Sequence, residues 1–324
     1  MNRFIYIICF VFTGIPAFSQ VMSSSEFWGS VGDKRIGVNF DNDTYFQTDY
    51  YYTNGLEIEI ILPVFDKTPF SSIFPQVSEN RNNHTGISIA QRLYTPEDIN
   101  DTLVQFNDRP FAATFELDHF MISRDEISGF ELSGRIRFGL MGPAVGGEEI
   151  QRKLHVWIEL PEPRGWGYQI SNAIILNYDF YLNYPLLFDR SWKIGITGGM
   201  RGGTLYDDLG IGVNFGLGKN LFRFIESHGF SGSRANKYPK FYLKGDAFLK
   251  LVLYNATLQG GLFSTNDPYQ LNYSEISPLV FSTNITAGFL WYGVSFSYGL
   301  NFLTREIKAG SIHKYGSLNL SVYF

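Results

Sequence analysis

The chain has 324 residues, 26 of them Lys or Arg and 31 Asp or Glu, for a formal net charge of −5. An acidic balance excludes the basic patch or stripe with which nucleic-acid binders neutralise phosphates. Only 18% of the residues are charged, 17% are aromatic, and Phe, Tyr and Gly together exceed a quarter of the chain, a mixture suited to β-strands and tight turns rather than helices.

Residues 1–19 read as a secretory signal peptide. Arg3 supplies a basic start, Phe4 to Phe12 an apolar run, and Ala17-Phe18-Ser19 a small-x-small cleavage site. Removal near Ser19–Gln20 is expected to leave residues 20–324 as a single domain. It would also take away Cys9, the one cysteine, and with it any disulfide or cysteine nucleophile. Beyond that segment no apolar run reaches the ~18 residues of a transmembrane helix. The mean hydropathy of −0.07 suits a soluble protein, but it suits a membrane β-barrel equally, because only alternate residues of each strand face lipid.

Period-two alternation is the dominant signal along the chain. Ile36, Val38 and Phe40 alternate with Gly37 and Asn39, and Leu56, Ile58 and Ile60 with Gly55, Glu57 and Glu59. Leu132, Ile136, Phe138 and Leu140 oppose Glu131, Ser133, Arg135, Arg137 and Gly139. Near the end Val294, Phe296, Tyr298, Leu300 and Phe302 form one face, followed by Leu318, Leu320, Val322 and Phe324. About twelve such segments begin near residues 34, 53, 84, 110, 128, 168, 191, 207, 239, 279, 293 and 314. The expected fold is all-β: a twelve-stranded antiparallel transmembrane β-barrel, with both termini on one side of the outer membrane. A soluble β-sandwich is the alternative, but charges and glycines filling one face of so many long strands argue against it. Closure satisfies every backbone group inside lipid.

With periplasmic termini, residues 44–53, 93–109, 140–167, 203–207, 254–279 and 304–313 become extracellular connections. Residues 62–83 and 219–238 would be unusually long periplasmic turns, which leaves a strand count differing by two open. The third extracellular connection reads as a short helix. Gly146-Gly147 precede Glu148 and Glu149, where a helix N-terminus favours negative charge. Ile150, Leu154, Trp157 and Ile158 recur at helical spacing, and Pro161 and Pro163 end the segment. Gln151 and His155 lie one turn apart on a neighbouring face.

Several polar groups converge on that extracellular rim: Asn42-Asp43 after strand one, Thr53 opening strand two, Arg92 and Arg109 flanking the next connection, and Gln151 with His155 on the helix. Parity with Gly37 and Asn39 is expected to point Asp43 into the barrel mouth beside Thr53. Carboxylate, amide and hydroxyl oxygens are hard donors, suited to calcium rather than zinc. The competing reading of Asn42-Asp43 is a turn with Asx hydrogen bonds, and that of His155 an exposed helix histidine.

The ordered set Asn42-Asp43, Tyr52-Thr53-Asn54-Gly55, Gln91 with Tyr94-Thr95-Pro96, Asp108-Arg109-Pro110-Phe111-Ala112, Gly142-Pro143, Gln151-x-x-x-His155 and Gly165-Trp166-x-x-Gln169 resembles the LpxR-type lipid A 3′-O-deacylases. The motifs run from about residue 36 to 180, and the barrel pattern continues to the C-terminus. The resemblance implies a calcium-dependent esterase that releases the 3′-linked acyloxyacyl chains of lipid A, with its site between the barrel wall and a loop helix, facing the outer leaflet. It implies that His155 activates a water, that Asn42, Asp43, Thr53 and Gln151 are the required polar residues, and that Ca2+ sits near Asn42, Asp43 and Thr53. Lipopolysaccharide and outer-membrane lipid are the implied partners of a monomer. Arg109 and Arg92 are candidates for gripping a lipid A phosphate, with ion pairs inside the barrel as the alternative. This chain departs from the pattern in having Thr44 after Asn42-Asp43 and Pro161 where a glutamate is expected about six residues beyond the histidine. An outer-membrane phospholipase, or a passive barrel or pore, are the competing functions.

Overall fold

The computed structural model describes residues 34–46, 48–79, 81–189, 191–218, 238–264 and 266–324. The expected signal segment 1–19, with Cys9, and most of the 219–238 connection lie outside the described residues. Twelve strands follow in order: β1 (Arg35–Asn42), β2 (Tyr51–Ile61), β3 (Arg81–Thr95), β4 (Ala112–Asp125), β5 (Glu131–Met141), β6 (Ala173–Phe188), β7 (Trp192–Gly203), β8 (Tyr206–Leu217), β9 (Lys240–Asn255), β10 (Leu279–Trp291), β11 (Val294–Leu303) and β12 (His313–Tyr323). Each pairs antiparallel with its sequence neighbours, and β1 closes on β12 from Arg35↔Tyr323 to Asn42↔Gly316. The even count places the start of β1 and the end of β12 at one rim.

Alternation sets the two faces. On β5, Phe138 and Leu140 are exposed on the outer wall, whereas Arg135 and Arg137 are buried in the bore. The inward charges pair with one another. Arg135 meets Glu57 at 3.1 Å and Asp118 at 2.5 Å; Arg137 meets Glu116 at 2.8 Å, Asp118 at 3.3 Å and Asp179 at 2.7 Å. Buried charges are tolerated only when compensated in this way. Toward the far rim Tyr52, Tyr94 and Tyr315 pack with Ile170 and Leu205 across the bore, leaving an internal cavity of about 140 Å³. Side chains fill a barrel of this size.

The connection between β2 and β3 is a strap on the outer wall. Two 3-10 turns, Pro63–Lys67 and Pro69–Ile73, bring Phe74 onto Met121 and Ile136. The Thr68 hydroxyl lies 2.7 Å from Nε2 of His119, whose other ring nitrogen lies 2.9 Å from the Gly86 carbonyl. The strap thus covers a polar side chain that would otherwise stand on the outer face, and no strand pair forms among its described residues. At the opposite rim, the β5–β6 connection contains helix α1 (Gly147–Ile158), and a short helix α2 (Ala256–Gln259) follows β9.

Candidate active site

A β-bulge decides where the site lies. Tyr52 pairs with Tyr94, but the next pair is Asn54 with Leu93, so Thr53 is an extra residue in β2. A bulge breaks the period of two. Tyr52 therefore takes the inward position, and its hydroxyl donates to Asp41 Oδ2 at 2.8 Å. Tyr52 and Asp41 line the internal cavity; Thr53 and Asp43 do not. The expectation that Asp43 and Thr53 point into the barrel mouth is corrected accordingly: the bulge displaces Thr53, and Asp43 lies one residue past the end of β1, where strand parity no longer applies. Both are nonetheless buried, at 1% and 2% exposure, at the wall where α1 packs.

Helix α1 seats on that wall through a glycine. Gly146 enters it with φ of 73°, a left-handed conformation that glycine adopts without strain. A Cβ on Gly147 would stand 2.5 Å from the Ala113 Cβ and 3.0 Å from Leu93 Cδ2, so the helix meets β3 and β4 at backbone distance. Gly147, Gln151 and His155, spaced four apart, form its buried face. The apolar stripe turns away: Ile150, Trp157 and Ile158 are exposed, Trp157 at 79%. This inverts the usual rule for a surface helix in water and suits a helix lying against lipid.

The β1–β2 loop supplies the acids. Asp43 Oδ2 accepts the Tyr50 N–H at 2.9 Å, and the Asp43 carbonyl accepts the Thr48 hydroxyl at 3.2 Å. Asp43 Oδ1 is buried without a hydrogen-bond partner. Burial pushes the Asp43 carboxyl up to about 9; the Tyr50 N–H acts against the rise and the nearby Asp49 carboxylate adds to it. Asn42 makes the Asx turn: its Oδ1 accepts the Thr44 N–H at 2.8 Å, and its Nδ2 donates to the Thr53 carbonyl at 3.1 Å. It ties the two strands together beside Asp43.

His155 is held at both ring nitrogens. Nδ1 lies 2.6 Å from the Pro161 carbonyl, and Nε2 lies 3.3 Å from Asp49 Oδ2. Gln151 donates to Asp49 Oδ1 at 3.4 Å and accepts the Trp166 indole N–H at 2.8 Å. Burial holds the Asp49 carboxyl above the usual carboxylate range, with the facing imidazole acting against the rise. Sequence reasoning missed Asp49. The available signal was that, besides Asp43, it is the only acid between Asp43 and Tyr50.

The two candidate phosphate grips are engaged elsewhere. Arg92 pairs with Glu57 at 2.9 Å and Glu116 at 2.8 Å. Arg109 pairs with Glu306 at 2.6 Å, donates to the Thr257 hydroxyl at 2.6 Å and lies over the Tyr94 ring. Inward parity puts Arg92 among the acids of the bore, and the β11–β12 connection brings Glu306 to Arg109. The ion-pair alternative is the one the structure shows.

This arrangement can be set beside known proteins. The family model described as outer membrane protein LpxR matches residues 5–324. The chain belongs to the LpxR family. Among solved structures, LpxR from Salmonella typhimurium superposes with a TM-score of 0.70 at 20% identity, covering 90% of this chain and 100% of that one. The β domain of the Bordetella autotransporter BrkA gives a TM-score of 0.42 at 8% identity, covering 91% of this chain and 100% of that one. Among curated proteins none matches. As an LpxR-type barrel the chain is placed in the bacterial outer membrane, and it shares with the Salmonella LpxR structure a closed antiparallel architecture.

Proposed function

We propose that the protein is a calcium-dependent esterase that hydrolyses the 3′-linked acyloxyacyl group of lipid A, with its site at the outer leaflet. LpxR family membership supports a lipid A-modifying enzyme of the outer membrane. The observation that carries the reading is His155: a buried imidazole, on a helix against the outer barrel wall, with Nδ1 on a carbonyl and Nε2 on a carboxylate. A neutral imidazole so oriented takes a proton from water. The water oxygen adds to the ester carbonyl carbon, and the ester bond to the sugar oxygen then breaks. Gln151 and Trp166 hold the loop acid against the ring. The exposed Ile150, Trp157 and Ile158 would keep the helix among acyl chains, so an ester at the head of such a chain reaches His155 from the lipid side.

The donors present fit calcium. Asp43 Oδ1 is a buried carboxylate oxygen with no partner, and the Thr53 hydroxyl has only a long 3.4 Å contact to the Leu93 carbonyl. Asn42 keeps one amide oxygen lone pair beyond the Thr44 N–H. Among the described residues no three His, Cys, Asp or Glu side chains gather into a metal cluster, so carbonyl and hydroxyl oxygens must complete the set, as calcium accepts and zinc does not. Asn42, Asp43 and Thr53 would hold the ion, and its charge would stabilise the oxyanion of the ester.

The test is mass spectrometry of lipid A from a host of known acylation expressing the protein. Loss of the 3′ acyloxyacyl group with the wild type, absent with His155→Ala and with chelator, is expected; identical spectra for wild type and variant would overturn the proposal. A phospholipase of the Ser–His kind gains no support, because the His155 ring nitrogens face a carbonyl and a carboxylate, not a hydroxyl. Nor does a wide pore, given the tyrosine layer across the bore.

A further inference from the structure

We propose that Asp49 is a positioning residue for the reaction at His155, orienting the attacking water beside Nε2 and stabilising the imidazolium formed in ester hydrolysis; the idea rests on the esterase reading above. The polarity of each link can be read in turn. An indole N–H only donates, so the Trp166 contact makes Gln151 Oε1 the acceptor and turns the Gln151 amide N–H toward Asp49. At the other end the Pro161 carbonyl only accepts, so Nδ1 of His155 carries its hydrogen and Nε2 is the nitrogen left for proton transfer. Asp49 Oδ2 stands 3.3 Å from that nitrogen. The Pro161 carbonyl can orient the ring but brings no charge to it; the carboxylate of Asp49 does.

Three elements thus converge on one imidazole: α1 carries Gln151 and His155, the loop after it carries Pro161 and Trp166, and the β1–β2 loop carries Asp49. Asp43 is the other acid behind Asp49, whereas Lys153 is taken by Glu149 at 2.7 Å on the exposed face of the helix. In the reaction, one hydrogen of the attacking water passes to Nε2 as the water oxygen bonds to the carbonyl carbon. The resulting imidazolium faces the Asp49 carboxylate, which also accepts a hydrogen bond from the O–H that stays on the added oxygen. The same proton then leaves Nε2 for the departing sugar oxygen as the carbon–oxygen bond breaks. Free carboxylic acid and a sugar hydroxyl result, and the ring returns neutral.

The experiment uses the full-length barrel in detergent micelles containing lipid A and calcium. With Asp49→Asn, kcat is expected to fall about 100-fold with KM nearly unchanged, and Asp49→Glu should restore part of it. Independently of turnover, 15N NMR of histidine-labelled protein should show the Nε2 resonance of His155 displaced in Asp49→Asn, while Nδ1, held by Pro161, stays in place. An unmoved Nε2 resonance, or an equal displacement of both nitrogens, would overturn the inference by making Asp49 irrelevant or merely structural. If Nε2 alone moves but wild-type protein leaves lipid A intact, the pairing of Asp49 with His155 stands and the esterase reading falls.

Discussion

Gly147 of helix α1 lies directly against Ala113 of β4: a Cβ on the glycine would sit 2.5 Å from that of the alanine. The helix is therefore seated on the wall by the absence of a side chain, and its distance from β4 sets the distance of Gln151 and His155 from the loop acids. Gly147→Leu should lift the helix N-terminus without entering the barrel itself. Expected is loss of lipid A hydrolysis by more than about tenfold, since an ångström of misplacement can cost ~100-fold. The barrel should remain folded, as judged by its heat-dependent mobility shift on gels.

Trp166 offers a finer probe of the same layer. It is 1% exposed, packs against Phe111 with the rings tilted and 4.9 Å between their centroids, and gives its N–H to Gln151. Trp166→Phe keeps most of the packing and deletes the donor. Gln151 Oε1 then loses its donor, so nothing fixes which face of the amide meets Asp49, and a buried unsatisfied group costs about 1–3 kcal/mol. The predicted result is a kcat lower by about tenfold with a barely altered KM. Equal kinetics for the two proteins would show that the indole N–H does not set the amide.

Much of the fold was legible because alternation is a local property. Arg135, Ile136, Arg137 and Phe138 announce two faces without reference to any other strand, and the loop helix declares itself through Glu148, Glu149 and the repeat of Ile150, Leu154 and Trp157. Gln151 and His155 could be paired from their spacing alone. The bulge could not be read in this way, because Thr53 looks like one more alternating residue until β2 is laid against β3. Asp49 was hidden for a similar reason: its partner is a helix about a hundred residues downstream, and an acid in a short loop has no period to betray it. Arg109 shows the same limit, since Glu306 lies 197 residues away in sequence.

Asp43 separates the cation proposal from the hydrolase proposal. Its Oδ1 is buried without a hydrogen-bond partner, and a ligand that binds only the folded protein stabilises it by mass action. Added calcium should raise the unfolding temperature of the wild type over that measured in chelator. Asp43→Asn should lose most of this calcium-dependent rise, while its unfolding temperature in chelator is equal or higher because no buried carboxylate remains to be desolvated. Thr53→Val, which retains the β-branched shape at the bulge, should weaken the calcium response by a smaller amount. A calcium response in Asp43→Asn equal to that of the wild type would remove Asp43 from the ligand set.

The bore and the site occupy opposite faces of the same wall, so they should be separable by mutation. Arg135 lies between Glu57 and Asp118, all three buried. Arg135→Met leaves Asp118 with Arg137, and Glu57 with Arg92, each arginine already shared with Glu116. Deleting one partner of a buried ion pair costs about 3–5 kcal/mol, and the lower end is expected here because some compensation survives. Denaturant unfolding in micelles should show that loss, while the protein that remains folded hydrolyses lipid A at the wild-type rate. Replacing the acid as well, in Arg135→Met with Asp118→Leu, removes the stranded charge and should recover a large part of the stability. If Arg135→Met instead abolished hydrolysis in a fully folded barrel, the reacting groups would have to be sought inside the bore rather than under α1.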